Sequence, residues 1–300
     1  MKKILTIIIA SVCISAAAAA QTLPSLLVNS DPKAMGAAGM SLLGSDAFSL
    51  QGYAASAALM DATAAAGVSY GIWQPAAASD KVLGASAAVK LAGKFSIALD
   101  YKNFMQPEYE LMSPNGSSNR VTPVFKPGES SYALGLGFAF VPGLSAAVTV
   151  RSTGSKLSPD AKASAFGVDV SAMFSKDKLK AALAVCNLGG QVKYGEKAYA
   201  QPMLVKAGAA FNIVEGLKTG AEFNYLFDGA FNAAAGVEYC YAGIVAARAG
   251  YHFGSKDKGI PSYVSVGLGA GFAGVQLNFA YLLASDTLGG SMMFGLSYSF

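Results

Sequence analysis

The chain has 300 residues, of which 53% are hydrophobic and only 13% are charged, and its mean hydropathy is +0.41. The net charge of +4 falls to +2 if the lysines at positions 2 and 3 are removed with a leader, since 20 basic and 18 acidic side chains then remain. This balance excludes the basic footprint of a nucleic-acid-binding protein, so no nucleic-acid partner is expected.

Residues 1–20 have the pattern of a secretory signal peptide. Two lysines are followed by an apolar core over residues 4–20, and cleavage is expected after Ala20. A retained membrane anchor is the alternative, although no basic flank follows the apolar run. Export leads to an oxidising compartment, yet Cys186 and Cys240 fall on predicted strands that are not neighbours, so we expect two free thiols.

Residues 21–60 differ in composition from the rest of the chain. Several glycines are followed by a weak helical tract near residues 46–60. Two interpretations stay open: a short plug inside or beneath a barrel, or a first strand followed by a turn. The plug candidates are Met35, Gly36, Gly39, Asp46 and Phe48.

Apolar and polar residues alternate from Ala64 to the end, which predicts strands rather than helices. Membrane helices need about 20 consecutive apolar residues, and only the N-terminal segment has such a run. We therefore predict an all-β, up-and-down antiparallel transmembrane barrel of about 14 strands over residues 61–300. The predicted strands are 64–73, 82–91, 94–105, 130–140, 143–153, 162–175, 177–186, 202–213, 216–227, 230–241, 243–253, 262–272, 274–284 and 289–300.

The predicted connections alternate in length. Tight turns with glycine or other turn-forming residues follow the even-numbered strands, and longer segments follow the odd-numbered ones, with residues 228–229 as the exception. Outer-membrane barrels have short periplasmic turns and longer extracellular loops, so an even strand count places both termini in the periplasm. The expected location is the bacterial outer membrane, with its lipid as a partner.

The last strand has one apolar, aromatic face and one small, polar face. Phe294, Leu296, Tyr298 and Phe300 share the first face, as expected where the outside of a barrel contacts lipid. A terminal aromatic strand of this kind also resembles the signal that the bacterial barrel-insertion machinery reads. We therefore interpret residues 288–300 as the strand that closes the barrel.

Charged side chains fall on the opposite faces of the predicted strands. A lysine facing lipid at mid-depth would cost about 2–4 kcal/mol, so these faces are assigned to the lumen. The turn at residues 213–216 also predicts Lys206 opposite Glu222. The polar lumen candidates are Asp100, Lys102, Arg151, Asp169, Lys206, Glu222, Glu238, Arg248 and His252.

The sequence offers no recognisable catalytic, metal or cofactor motif. His252 is the one histidine, and no cysteine or second histidine stands at a metal-ligand spacing from it. The glycine-rich stretch at residues 267–274 has no following lysine and no predicted helix, so it is not interpreted as a nucleotide loop. Its glycines are expected to point inward and make room in the lumen. We predict a non-enzymatic protein that needs no cofactor.

The long loop at residues 106–129 is the candidate docking surface for a partner. It is rich in proline, glycine and serine and carries Tyr109, Leu111, Met112 and Phe125. A solvated loop without a role is an equally acceptable interpretation.

Several stretches resemble the PorV/PorQ family of Bacteroidetes outer-membrane proteins. DPKAMGAAGMSLLGSDAFSL resembles the family's N-terminal A-x-x-x-G-x-x-G…D-A-F/Y signature, and AVCNLGGQVKY resembles its N-L-G-x-x-x-K-Y segment. AAGVEYCYAGIVAARAGY, VSVGLGAGFAGVQLNFAYL and FGLSYSF resemble its later hairpins. Where the family usually has W-N-P-A, this chain has residues 51–55 with the sequence QGYAA.

The resemblance implies a FadL-like barrel of 14 strands with an N-terminal plug, and a role in type IX secretion. Family members of the PorV kind bind cargo proteins and pass them to a surface-attachment complex. The expected partners are therefore the type IX translocon and secreted cargo. The alternative function is a FadL-like passive channel that takes a hydrophobic ligand, with residues 21–60 as its gate.

Overall fold

The computed structural model describes residues 23–44, 46–110 and 124–300. Within these ranges the chain forms a closed barrel of 14 strands in which every neighbouring pair is antiparallel, as predicted. No helix in the described part of the chain is long and apolar enough to cross a membrane.

The strands, in chain order, are β1 (Ala64–Trp73), β2 (Asp80–Leu91), β3 (Phe95–Met105), β4 (Tyr109–Glu110), β5 (Val124–Phe125), β6 (Gly128–Val141), β7 (Leu144–Lys156), β8 (Lys162–Lys176), β9 (Leu179–Gly189), β10 (Val192–Tyr194), β11 (Lys197–Tyr199), β12 (Leu204–Val214), β13 (Leu217–Leu226), β14 (Phe231–Tyr241), β15 (Val245–Phe253), β16 (Tyr263–Phe272), β17 (Val275–Leu283) and β18 (Met292–Ser299). The pairs β4–β5 and β10–β11 form two small ribbons outside the barrel sheet.

Alternation along each barrel strand separates an outward apolar face from an inward small or polar face. On β6, Tyr132 is 60% exposed, whereas its neighbour Ser131 is 1% exposed. The other outward positions of β6 are also large and apolar, including Leu134, Leu136 and Phe140. An apolar outside and a polar inside are typical of a barrel that stands in lipid.

The two ends of the barrel differ. Tight turns with a left-handed glycine, such as Gly143 and Gly216, connect the strands at one end, which we call the short-turn end. The longer connections and both ribbons lie at the opposite, long-loop end. The barrel closes where β1 pairs with β18, and at the short-turn end the backbone N–H groups of Thr63 and Ala64 donate to the Phe300 carbonyl.

Residues 23–44 and 46–60 fill the lumen and form the plug. They contain one helical turn, Pro32–Met35, and the 3₁₀ segments Pro24–Leu27, Ser41–Leu43, Asp46–Gln51 and Ala54–Leu59. Leu23 packs beneath β10 near the long-loop end, whereas Met60 lies close to the start of β1 at the short-turn end. The plug interpretation of this segment is therefore correct, and the alternative of a first strand is wrong.

One detail of the predicted register is wrong. Lys206 of β12 lies opposite Asn224, not Glu222, which pairs with Gly208. The turn between β12 and β13 is tight, with Val214 opposite Leu217, and the register shifts between Asn212 and Val214. The resulting displacement is two residues, so Lys206 and Glu222 still both face the lumen.

Candidate functional site

Glycines on the inner barrel wall allow the plug to approach the strands at backbone distance. A Cβ on Gly267 of β16 would lie 2.8 Å from the Gly36 Cα atom in the plug. A Cβ on Gly250 of β15 would lie 2.7 Å from the Ala37 carbonyl carbon. Gly267 therefore makes room inside the barrel, as expected for the inward glycines of residues 267–274, and the plug takes up that room.

Buried carboxylates of the wall accept hydrogen bonds from the plug. Glu222 is 3% exposed, and its carboxylate accepts from the Leu42 backbone N–H at 2.6 Å and from the Tyr53 hydroxyl at 3.4 Å. Burial, with Glu222 close by, raises the pKa of Tyr53, so its hydroxyl stays a donor. Glu129 accepts from the Ser25 N–H at 3.1 Å. These wall acids replace the water that the plug backbone would otherwise need.

Lysines of the wall donate hydrogen bonds to oxygen atoms of the plug. The Lys102 ammonium donates to the Val28 carbonyl at 2.8 Å. Lys206 donates to the Ser41 hydroxyl at 3.1 Å, and its Nζ lies 4.8 Å from the Tyr53 ring centroid, a cation–π contact. Lys90 donates to the Met60 carbonyl near the short-turn end.

Glu238 of β14 forms ion pairs with three basic side chains. Its carboxylate lies 2.6 Å from Arg248 Nε on β15, 3.4 Å from Lys218 Nζ on β13 and 3.8 Å from Lys33 Nζ in the plug. Arg248 also donates to the Asn278 side chain at 2.9 Å. One carboxylate thus joins three strands to the plug, which compensates for the burial of these charges.

Two more of the predicted lumen residues contact the plug, one directly and one through a neighbour. Asp100 accepts from the Gln51 side-chain amide at 2.5 Å. His252 stacks on Tyr263 with ring centroids 4.7 Å apart, and the Tyr263 hydroxyl donates to the Ala38 carbonyl at 3.3 Å.

The remaining predicted lumen residues, Arg151 and Asp169, form an ion pair within the barrel wall and do not bond to the plug in the described part of the chain. Arg151 Nη2 lies 3.1 Å from Asp169 Oδ2, and Asp169 Oδ1 accepts from the Asn187 N–H at 2.6 Å. Asn187 has a left-handed backbone, with φ of 59°, at a β8–β9 bulge, and its amide donates to the Pro202 carbonyl at 2.9 Å. A Cβ on Gly189 would lie 2.1 Å from the Phe166 carbonyl oxygen. The left-handed backbone at Asn187 and the close approach of the chain at Gly189 thus explain two of the three residues in the N-L-G segment.

The plug candidates all lie in the plug. Met35 and Phe48 are buried, and Phe48 packs where a Cβ on Gly67 of β1 would collide with its ring. Gly36 contacts Gly267, and Gly39 has a φ of 84°. Asp46 lines a small polar cavity toward the short-turn end.

A cavity of about 290 Å³ remains between the plug and the wall in the long-loop half of the lumen. Apolar side chains including Leu27, Trp73 and Ile260 line it together with the polar side chains of Arg151 and Lys206. No group of three or more His, Cys, Asp and Glu residues that could hold a metal occurs among the described residues.

The docking-loop candidates divide between described and undescribed positions. Tyr109 and Phe125 form an edge-to-face aromatic pair on the β4–β5 ribbon, with ring centroids 5.6 Å apart. The Tyr109 hydroxyl donates to the Leu157 carbonyl of the β7–β8 loop at 2.9 Å. Leu111 and Met112 lie outside the described residues.

Sequence reasoning missed several residues that hold the plug. Glu129 lies on the inward face of β6, and the predicted strand began one residue too late to include it. Lys33, Gln51 and Tyr53 lie in segments too short to show periodicity, so no sequence signal assigns their partners.

Comparison with known structures reveals the same fold at low sequence identity. The toluene transporter TbuX of Ralstonia pickettii matches with a TM-score of 0.61 and 10% identity, over 90% of this chain and 98% of that one. The toluene transporter TodX of Pseudomonas putida matches with a TM-score of 0.60 and 13% identity, over 90% and 96%. A FadL homologue of Pseudomonas aeruginosa matches with a TM-score of 0.58 and 13% identity, over 91% and 99%.

No curated protein matches the sequence significantly. The family model for the type IX secretion system protein PorV matches residues 14–242, well over half of the chain. With a closed FadL-like barrel and an apolar outer face, the protein resides in the bacterial outer membrane. The chain belongs to the PorV family of type IX secretion system proteins.

Proposed function

We propose that this protein is a non-enzymatic, plugged barrel that acts in type IX secretion by binding secreted cargo and translocon proteins at its long-loop end. The observation that carries the proposal is that the charged side chains of the lumen bind the plug. Lys102, Lys206, Glu222 and Glu238 all bond to the plug, although Lys206 also borders the remaining cavity. A filled lumen favours a function at the surface of the barrel over transport through it.

The β4–β5 ribbon supports docking at the long-loop end. Val124 is 60% exposed, and Tyr109 and Leu157 are also exposed beside it. Apolar side chains grouped on a loop surface favour protein contacts, because partner binding removes them from water.

The test uses a ribbon variant, Tyr109→Ser with Val124→Ser, in cells that depend on this chain for secretion. We expect cargo and translocon proteins to be lost from pull-downs of the variant, and cargo to accumulate in the periplasm. Ile244→Ser, an exposed apolar residue at the short-turn end, is the matched control. Wild-type secretion and partner recovery with the ribbon variant would contradict the proposal.

A second candidate function is passive transport of hydrophobic small molecules. The cavity of about 290 Å³, with Leu27, Trp73 and Ile260 in its lining, favours it. Transport would require the plug to move, because Gly36 and Gly267 are in backbone contact. Deletion of the chain should then reduce uptake of an apolar compound such as toluene while secretion continues. Intact uptake in the deletion strain would exclude this function.

A further inference from the structure

Three lysines share one register row on the outward face at the long-loop end. Lys156 at the end of β7 is directly opposite Lys162 at the start of β8, and both are exposed. The same row continues through Gly128 and Met105 to Lys81, which is also exposed on the outward face. We call Lys81, Lys156 and Lys162 the rim lysines.

Unlike the lumen charges, the rim lysines have no described side chain that pairs with their positive charge. Like charges directly opposite each other in a sheet are destabilising, and the Cβ atoms of such a pair are about 5 Å apart. Among the described residues, none of the three forms an ion pair or a side-chain hydrogen bond. Glu108 is paired with Lys126, at 3.4 Å. The exposed Asp160 in the connecting loop forms no ion pair with them either, so an external anion would relieve the repulsion along this row.

The position of the row indicates where that anion comes from. On β8 the outward aromatic residues Phe174 and Phe166 bracket the apolar face, and Phe166 is 67% exposed. Lys162 lies beyond Phe166, with Ser164 between them on the outward face, and Lys156 lies beyond Val150, with Ser152 and Gly154 between them. Lysine stems can lie along such an apolar wall while the ammonium groups reach the level of the lipid headgroups.

We propose that the rim lysines bind the phosphate of an anionic lipid in the outer leaflet. Lysine is a compact point charge that pairs well with phosphate, and two lysines on adjacent strands can contact one phosphate group from both sides. A headgroup that sits above acyl chains also matches the apolar band that begins at Val150 and Phe166, further along the same two strands. A soluble anion would gain nothing from that wall, which is why the lipid is the favoured source of the phosphate.

The test measures lipid retention by the purified full chain, using native mass spectrometry with diphosphorylated lipid A as the probe. We expect Lys156→Gln with Lys162→Gln to reduce retention at least fivefold, and dephosphorylated lipid A to be retained poorly by the unmodified chain. Lys94→Gln with Lys176→Gln, two exposed lysines at the short-turn end, should change retention less than twofold. Equal retention by the rim and control variants would overturn the proposal.

A second variant separates lipid binding from folding. Lys156→Glu places a carboxylate opposite Lys162, so the barrel should unfold at the same or a higher temperature while lipid retention is lost. Unchanged retention in this variant would show that the lysines are merely solvated. Release of the lipid by millimolar inorganic phosphate would show a general anion site and would also overturn the lipid assignment.

Discussion

At the scale of single residues, the protein uses wall side chains in place of water around the plug. Glu222 is an example, because its carboxylate accepts hydrogen bonds from both the Leu42 N–H and the Tyr53 hydroxyl. A group of this kind cannot be removed without leaving a buried donor unpaired.

Glu222→Ala should weaken the seating of the plug by about 1–3 kcal/mol, since the Leu42 amide loses its acceptor in a buried site. Hydrogen exchange of residues 40–53 should accelerate while exchange of the barrel strands stays unchanged. Glu215→Ala, in the exposed β12–β13 turn of the same hairpin, serves as the control. Unaltered exchange at Leu42 would count against this role.

Gly267→Ala tests the backbone contact with Gly36. The added Cβ would lie 2.8 Å from the Gly36 Cα, so the plug or β16 must shift, at a cost of about 1–3 kcal/mol. Gly154→Ala on β7 is the control, because the nearest atom to its Cβ would be 3.8 Å away. The two variants should differ in unfolding temperature in detergent, and equal temperatures would be inconsistent with a tight contact.

At the scale of elements, strand positions and faces were predictable, whereas plug contacts were not. β8 was expected at residues 162–175 and is found at Lys162–Lys176, because alternation is a local property that one strand displays by itself. The position of Lys206 relative to Glu222 failed because the turn is centred on residues 215–216, later in the chain than expected, and because a bulge between Asn212 and Val214 shifts the register again. The partners of Lys33 and Tyr53 depend on distant strands, so local sequence does not encode them.

Asn187 offers a test of the β8–β9 bulge. Asn187→Gly keeps the left-handed backbone and loses the bond to the Pro202 carbonyl, which should cost about 1 kcal/mol. Asn187→Ala also strains the backbone, so its total cost should be about 2–3 kcal/mol. Urea unfolding of both variants gives the comparison. If alanine and glycine behave alike, the left-handed conformation does not matter for stability.

At the scale of the whole molecule, the alternation of connections predicts the orientation in the membrane. Asp160→Cys in the β7–β8 loop should react with a membrane-impermeant maleimide on intact cells. Glu215→Cys should react only after the outer membrane is permeabilised. Both are built on a background with Cys186→Ser and Cys240→Ser, since these thiols are free and only half-buried. The opposite labelling pattern would invert the orientation.

The depth of the plug has a consequence for assembly. The plug runs from Leu23, packed near the long-loop end of the barrel, to Met60 at the short-turn end, where β1 begins. The seated plug contacts the wall at backbone distance, as at Gly36 and Gly267, so threading it into a barrel already closed between β1 and β18 would require those contacts to form in a confined space. We therefore expect the plug to be positioned while the sheet is still open, before the last hairpin pairs with β1.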